Sequence, residues 1–306
     1  MATTLTLGLD IGGTKIAGAL IDADGHLHDP RTVPTLAHEG AEAVLGRVIG
    51  LARGLLVGVA PVAVGVGSGG HIDPASGDVL FATDLLPGWG GLPLARRVSE
   101  ALGLPTWAAN DAHTMALGEA THGAGQGVRF GLYIAVGTGI GGGWVLDGRL
   151  YQGRSGLGGS VGHVKVEPRG RPCTCGRSGC VEQYACGPAI AAHYQRLRGL
   201  PSMPSGQEVV AAMRAGDHLA RYAVEEAGHW LGLALASLVN AMEPDAIIVG
   251  GGVAEAGEPF LAAMRAGLLE YAMPPVGATP VRAAALGPQA GVIGAGVLAR
   301  QGEEGR

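Results

Sequence analysis

Apolar residues near the start of the chain follow two spacings, short continuous runs and a helical period. The continuous runs predict buried strands at four places: 4–9, 16–21, 62–68 and 106–109. The helical period predicts helices at three places: about 39–57, 92–102 and 112–122. An Asp-Ala-Asp-Gly turn at 22–25 leads into a further strand. Asn110 and Asp111 therefore follow the carboxyl end of a strand and precede a helix.

The opening pattern occurs twice in the chain. Residues 7–27, LGLDIGGTKIAGALIDADGHL, run as strand, Gly-rich turn, strand, Asp-Gly turn and strand. Residues 133–151, YIAVGTGIGGGWVLDGRLY, have the same order, with strands predicted at 130–136, 144–146 and 149–151 around a turn at 137–143. Two copies of one hairpin unit predict two similar domains that face each other. Later segments are predicted as helices over about 219–243, 258–266 and 292–300 and as a buried strand over 246–249.

Glycine is unusually abundant, at 56 of 306 residues, against ~7% in an average protein. A disordered chain needs low hydrophobicity, whereas 47% of this chain is hydrophobic and its apolar runs are regular. The composition therefore indicates a compact protein with many tight turns and places where the backbone approaches a ligand.

The charge distribution argues against two classes of partner. The net charge is −5 and no basic block occurs, so a nucleic-acid-binding groove is not expected. No apolar stretch approaches the ~20 residues of a membrane span, and the first residues lack the features of a signal peptide. A cytoplasmic location is predicted.

The two Gly-rich turns are candidate phosphate sites. Gly137–Gly142 matches G-x-G-x-x-G, but a dinucleotide-binding unit needs a helix after this turn, and a strand is predicted here. A Gly turn between strands can still bind phosphate through successive backbone N–H groups, and two such turns can hold one triphosphate. The alternative is that each turn is an ordinary tight hairpin. Lys15, one of two lysines in the chain, favours the phosphate interpretation.

A cysteine-rich segment is a candidate metal site. Its members are His163, Cys173, Cys175 and Cys180. Three thiolates and one imidazole suit a closed, tetrahedral zinc site of the structural kind. The alternative, buried apolar cysteines, is disfavoured by the arginine, proline and glycine residues around them. Cys186 lies outside this spacing and is predicted to be a packed core thiol.

Asn110 and Asp111 have two interpretations. An Asn-Asp pair before a helix is commonly an N-cap. Phosphoryl transfer also needs positioned phosphates, a bridging Mg²⁺ and a base that accepts the hydroxyl proton, and an Asp at the end of a strand suits that base. The pair alone leaves both interpretations open.

Together these residues resemble the ROK family of bacterial sugar kinases and repressors over essentially the whole chain. The resemblance is carried by Leu9–Lys15 (LDIGGTK), Asn110–Ala112 with Ala116–Glu119, Gly137–Gly143, Gly162-His163, Gly179–Glu182 and Val249–Val253. It implies the actin-like ATPase (ribonuclease H-like) fold, of the α/β class, with two similar domains around a cleft. The predicted domains are 1–112 with about 290–306, and 113–289, which holds the zinc segment 163–180. A homodimer or a tetramer is expected.

The resemblance also implies roles for individual residues. Asp111 matches the catalytic base, and Asp10 would hold Mg²⁺. The sugar contacts would be Gly70, Asn110, Asp111, His163 and Glu182. The zinc ligands would be His163, Cys173, Cys175 and Cys180. ATP and its Mg²⁺ would lie against Asp10, Gly12, Gly13, Thr14, Lys15, Gly137, Thr138, Gly139, Gly141, Gly142, Gly251 and Gly252.

The chain departs from the family pattern at three places. Gly67–Asp73 lacks the usual proline, and His113 replaces the second asparagine of Asn-Asp-Ala-Asn. Ser160 stands where the family has a sugar-contacting glutamate, which affects the choice of sugar.

Three functions are therefore weighed. The preferred one is an ATP-dependent kinase that phosphorylates the 6-hydroxyl of a hexose, with glucose first. The second is an N-acetylmannosamine or N-acetylglucosamine kinase, and the third is a non-catalytic sugar-sensing protein. A repressor would carry an N-terminal DNA-binding extension, which a first strand near residue 4 does not accommodate.

Overall fold

The computed structural model describes residues 4–83 and 85–305. Backbone contacts group the chain into unit 1 (Met1–Gly127, Gly143–Gly158 and Pro288–Arg306) and unit 2 (Val128–Gly142 and Gly159–Gly287). The domain limits predicted from the sequence stay a prediction, and their residues 1–3, 84 and 306 lie outside the described residues.

Strands and helices alternate along the chain. The first part forms β1 (Thr6–Ile11), β2 (Lys15–Ile21), β3 (Leu27–Pro34), α1 (Ala41–Leu55), β4 (Val64–Ser68), β5 (His71–Ile72), β6 (Val79–Phe81), α2 (Leu94–Leu102), β7 (Thr106–Asn110) and α3 (Asp111–His122). The second part forms β8 (Phe130–Val136), β9 (Ile140–Leu146), β10 (Arg149–Tyr151), α4 (Glu182–Ala185), α5 (Gly187–Arg198), α6 (Gly206–Arg214), α7 (His218–Met242), β11 (Ala246–Gly250), α8 (Glu258–Tyr271), α9 (Pro274–Gly277), β12 (Val281–Ala283) and α10 (Ala290–Glu304).

The sheet of unit 1 has the order β3-β2-β1-β4-β7, in which β1, β4 and β7 are parallel. Side chains alternate between the two faces of a strand. In β1, Leu7, Leu9 and Ile11 are fully buried in the apolar core that includes residues of α1 and α2. The intervening Thr6, Gly8 and Asp10 face α10, since the Thr6 hydroxyl donates to the Gly296 carbonyl and Gly8 lies against Val292.

Glycine lets α10 lie directly on this sheet. A Cβ added at Gly65 of β4 would come 1.8 Å from the Ala295 carbonyl oxygen, and one at Gly8 would come 2.2 Å from that of Val292. The contact between α3 and α10 is equally close, with a Cβ at Gly294 meeting the Thr114 carbonyl oxygen at 1.7 Å. Much of the glycine therefore serves helix packing rather than ligand binding.

The second sheet has the order β10-β9-β8-β11-β12, and the boundary between the units falls within β9. In unit 2, β8, β11 and β12 are parallel. Helix α7 packs against α8 through Gly228 and Gly232, where an added Cβ would meet the carbonyl oxygens of Phe260 and Met264 at 2.4 and 2.2 Å. Within the ranges that the structure describes, no helix has the length and apolar content to cross a membrane.

Two sequence-based expectations differ from the structure. Strand β9 begins at Ile140 rather than Trp144, so Gly141 and Gly142 lie in a strand and the turn is shorter. Gly142 is required there by packing, because a Cβ would meet the Tyr133 carbonyl oxygen at 2.8 Å. The short strands β5, β6 and β12 were not predicted, since two or three residues show no period, and helices α5 and α6 were also not predicted.

The close contact of α10 with the sheet predicts the effect of a single methyl group. Gly65→Ala should lower the free energy of unfolding by about 1–3 kcal/mol, because backbone atoms must move to admit the methyl group. Gly46→Ala on α1 is the control, since no atom lies within 4 Å of the added Cβ, and it should stabilise by ~1 kcal/mol. Chemical denaturation of both variants measures the difference. Equal stabilities would contradict the packing account.

Candidate active site

Three polar segments of unit 1 lie at one edge of its sheet. The register pairs Asp10 of β1 with Gly67 of β4, and Ser68 of β4 with Asn110 of β7. Because the three strands are parallel, their carboxyl ends share this edge. The backbone therefore brings together Asp10, the Ser68–Gly70 segment and the Asn110-Asp111 pair.

Asp10 is half-buried and lies against the first turn of α10. A Cβ at Gly291 would come 2.8 Å from the Asp10 carboxyl carbon, so only glycine allows the helix N-terminus to approach. Burial raises the pKa of Asp10 to about 7, helped by the negative charge of Asp111 and opposed by Lys15. The positive end of a helix favours a carboxylate. Two like charges near each other nevertheless suit a bound divalent cation.

Asp111 is the first residue of α3, and Asn110 is its N-cap. The Ala112 amide donates to Asn110 Oδ1 and to Asp111 Oδ1, both at 2.9 Å, while Asn110 Nδ2 donates to the Gly70 carbonyl at 2.9 Å. Asp111 keeps accessible surface, yet desolvation by the surrounding protein raises its pKa. A carboxylate that the protein surrounds on most sides and solvent reaches from one side is both accessible and raised in pKa. The N-cap and base interpretations of this pair are therefore compatible.

The turn between β1 and β2 presents exposed groups. Gly12 N–H donates to the Lys15 carbonyl at 3.0 Å and closes the turn. Buried Thr35 braces it from behind, donating from its hydroxyl to the Gly12 carbonyl at 2.7 Å and from its amide to the Thr14 carbonyl at 2.9 Å. Gly13, Thr14 and Lys15 remain exposed at the tip.

Unit 2 has two glycine turns at one edge of its sheet. Gly250 of β11 pairs with Ala135 of the parallel strand β8, so the turns after both strands leave the same edge. Gly137 N–H donates to the Gly139 carbonyl at 2.9 Å. Gly251 has φ +88° and lies against Val136, which excludes any side chain. Thr138 and Gly252 lie in these turns.

Glu182 supports the Gly137 turn. As the first residue of α4, it accepts a hydrogen bond from the Ile140 amide through Oε2 at 2.8 Å. A Cβ at Gly139 would come 2.6 Å from the same oxygen. The family resemblance implied a sugar contact for Glu182, and the structure adds this hydrogen bond to the glycine turn.

The four predicted metal ligands of unit 2 come together. Their ligand atoms lie within 4.8 Å of one another, with Cys175 Sγ 3.6 Å from Cys180 Sγ and Cys173 Sγ 3.8 Å from His163 Nδ1. Tetrahedral zinc with Zn–S of ~2.3 Å separates its sulfur ligands by about 3.7 Å. The donor set and its spacing fit zinc.

A hydrogen-bonded network supports this cluster from behind. The Tyr184 hydroxyl donates to Glu167 Oε2 at 2.6 Å and accepts from the Arg171 amide at 2.8 Å. The Arg171 guanidinium lies over the Tyr184 ring at 4.4 Å, and the Trp230 ring of α7 packs at 4.8 Å. The cysteine segment is therefore attached to the helix that carries Glu182.

Two histidines hold the segment that leads to Ser160. His113 of α3 is buried, and its Nε2 donates to the Gly158 carbonyl at 2.6 Å. Burial lowers the pKa of His113 and favours the neutral ring. His71 Nε2 bonds to the Ser155 carbonyl at 2.5 Å. Sequence reasoning missed both contacts, although His113 was visible as a departure from the family pattern.

Cys186 lies outside the metal cluster, at the start of α5. It is buried, and this burial raises the pKa of its thiol to about 11. The thiol is therefore protonated at neutral pH.

Comparison with known proteins identifies the family. The ROK family model matches residues 6–302. A glucokinase of Streptomyces coelicolor is 35% identical over 97% of this chain and 98% of that protein. An N-acetylmannosamine kinase of Shigella boydii is 36% identical over 98% and 99%.

The same likeness extends to three dimensions. The solved structure of a ROK family glucokinase from Streptomyces griseus, in complex with glucose and AMPPNP, matches with a TM-score of 0.85 and 36% identity. The match covers 97% of this chain and 99% of that one. The predicted resemblance and the actin-like α/β fold are both confirmed, and this chain belongs to the ROK family.

Proposed function

We propose that this protein is an ATP-dependent hexose kinase that transfers the γ-phosphoryl group of ATP to the 6-hydroxyl of glucose. The observation that carries the proposal is the accessible Asp111 carboxylate with its raised pKa at the carboxyl end of β7. Full-length similarity to glucokinases supports the choice of substrate.

Asp111 is proposed as the general base. A base is most effective when its pKa is close to the working pH, because it must be ionised and yet accept a proton. Desolvation moves the pKa of Asp111 in that direction. The Asn110 bond to Gly70 and the Ala112 amide hold the start of α3, so the carboxylate is oriented before the sugar arrives.

Asp10 is proposed to hold Mg²⁺. The pKa of Asp10 is raised to about 7 because burial and the negative charge of Asp111 disfavour its ionised form. When bound, the ion would neutralise charge on the β- and γ-phosphates. Lys15, exposed at the start of β2, would add a positive charge for the phosphates.

The glycine turns are proposed to bind the nucleotide through backbone N–H groups. In unit 1 the turn is formed by Gly12, Gly13 and Thr14; the Gly12 amide closes it on the Lys15 carbonyl, and the Gly13 and Thr14 amides would face the phosphates. In unit 2 the residues are Gly137, Thr138, Gly139, Gly141 and Gly142, and the adenosine would lie against Gly251 and Gly252. Gly141 and Gly142 lie in β9 and would shape the turn, and the Gly137 amide closes it on the Gly139 carbonyl. The Thr138 and Gly139 amides would then face the phosphates.

The sugar contacts are proposed to be Gly70, Asn110, Asp111, His163 and Glu182. His163 directs Nδ1 towards Cys173, so the other ring nitrogen is left for a sugar hydroxyl. A zinc ion on His163 and the three cysteines would supply folding free energy and fix this segment. Glu182 has a second carboxylate oxygen for the sugar besides the one bound to Ile140.

An N-acetylmannosamine kinase is the second candidate. It is favoured by the 36% identity to such an enzyme over nearly the whole chain. Exposed Ser160 is shorter than the family's glutamate and would leave room for a bulkier 2-substituent. The homodimer and the cytoplasmic location stay predictions.

A panel of sugars tests the proposed function. ADP release with ATP and Mg²⁺ should be fastest with glucose and should require the sugar. Ser160→Glu should lower KM for glucose, because a carboxylate makes stronger hydrogen bonds to sugar hydroxyls than a serine hydroxyl. A preference for N-acetylmannosamine, together with loss of activity in Ser160→Glu, would establish the second candidate. Absence of sugar-dependent ADP release would refute both.

The role of Asp111 predicts a specific pH dependence. The base acts only when ionised, so kcat/KM should fall as the pH drops through the pKa of Asp111, which lies above the ordinary value of 3.8. Asp111→Asn should lower kcat by about 10²–10⁴-fold, with less than about a tenfold change in KM for the sugar. Steady-state kinetics across pH measures both effects. A variant that keeps parental turnover would remove Asp111 from this role.

The nucleotide turn is tested best at Gly137. No atom lies within 4 Å of a Cβ added there, whereas one at Gly139 would displace Glu182. Gly137→Ala should raise KM for ATP by about tenfold, corresponding to ~1.4 kcal/mol, and leave KM for the sugar unchanged. Gly46→Ala on α1 should leave both constants unchanged. If Gly137→Ala has the parental KM for ATP, the turn is an ordinary hairpin.

A further inference from the structure

The cysteine segment contains a cation in contact with one of its sulfur atoms. Lys165 Nζ lies 2.9 Å from Cys180 Sγ. Cys180 is fully buried, while Lys165 is exposed. An ammonium group at this distance donates a hydrogen bond to the sulfur.

Backbone pairing fixes this contact. Lys165 and Cys180 are directly opposite each other in an antiparallel bridge, flanked by hydrogen bonds from the Val166 amide to the Gly179 carbonyl and from the Val181 amide to the Val164 carbonyl, both at 2.9 Å. Directly opposed residues place their side chains on the same face, about 5 Å apart at Cβ. Glycine is required beside the pair, because a Cβ at Gly179 would come 1.7 Å from the Glu167 carbonyl oxygen. The ammonium group is therefore held at the sulfur by the fold.

The charges of the cluster explain why a cation belongs there. Three thiolates and a neutral imidazole around Zn²⁺ carry a net charge of −1, and two of the sulfur atoms, on Cys173 and Cys180, are buried. Buried charges need partners. Arg171, another cation of the segment, is engaged with the Tyr184 ring and the Gln183 carbonyl. Lys165 balances the remaining charge.

We propose that Lys165 is a positioning residue of the zinc site, which neutralises the Zn-Cys₃His cluster and stabilises the Cys180 thiolate through an N–H···S hydrogen bond. Outer-shell partners of this kind orient and tune metal ligands. The inference rests on the zinc site in the proposed function and deepens it, since Lys165 is not a ligand and does not belong to the residues assigned to sugar or ATP.

Zinc affinity is the direct test. Lys165→Met keeps the length of the side chain and removes the charge, and it should weaken zinc binding by about 10–100-fold, measured on the full chain by competition with a chromophoric chelator. Lys165→Arg should retain most of the affinity. Arg177→Met is the matched control. It removes a cation from the same segment, and among the described contacts the Arg177 side chain touches no sulfur. The zinc affinity of this variant should stay within about twofold of the parent.

The Co²⁺-substituted protein gives a second readout. The sulfur-to-cobalt charge-transfer band should shift in Lys165→Met and stay unchanged in Arg177→Met, and circular dichroism shows whether each variant is folded. Parental zinc affinity and an unshifted band in Lys165→Met would overturn the inference, as would an equal loss in Arg177→Met. A parental protein that phosphorylates glucose but binds no zinc would overturn this inference and leave the kinase proposal standing.

Discussion

Two carboxylates at the carboxyl ends of three parallel strands are the constraint around which unit 1 is built. The register of β1, β4 and β7 brings Asp10 to the edge where Asp111 begins α3. Their mutual repulsion adds to the effect of burial and raises the pKa of Asp10 to about 7. The N-terminus of α10 and Lys15 offset part of this cost. In the proposed function, a divalent cation bound at this edge would offset more of it.

Glycine supports this arrangement in two distinct ways. At Gly8, Gly65 and Gly291 the missing side chain lets α10 reach the sheet and approach Asp10. An added Cβ would meet no atom within 4 Å at Gly137 and only Leu85, at an ordinary contact distance of 3.7 Å, at Gly13, so packing does not require glycine there. The first group explains much of the unusual composition, and the second identifies the turns in which a bare backbone is available to a ligand.

The sequence was sufficient for the features that depend on local pattern. The longer strands, the Gly turns, the helix after Asp111 and the Cys₃His spacing follow from neighbouring residues. Contacts over long separations were not predictable, because nothing local encodes them: His113 binds Gly158, Glu182 binds the Ile140 amide, and Lys165 faces Cys180. The start of β9 was misplaced because its glycines resemble a longer turn, although packing against Tyr133 requires glycine at Gly142.

The conflict between Asp10 and Asp111 can be measured directly by NMR titration of the ¹³C-labelled aspartate carboxyl groups. Without a cation, Asp10 should titrate with a pKa of about 7. The pKa of Asp10 should be lower in Asp111→Asn than in the parent, because one repulsive charge is removed. Addition of Mg²⁺ and ADP to the parent should lower the pKa of Asp10 by a larger amount. A pKa of Asp10 near the ordinary 3.8 in the free protein, or one that Mg²⁺ and ADP leave unchanged, would contradict this account.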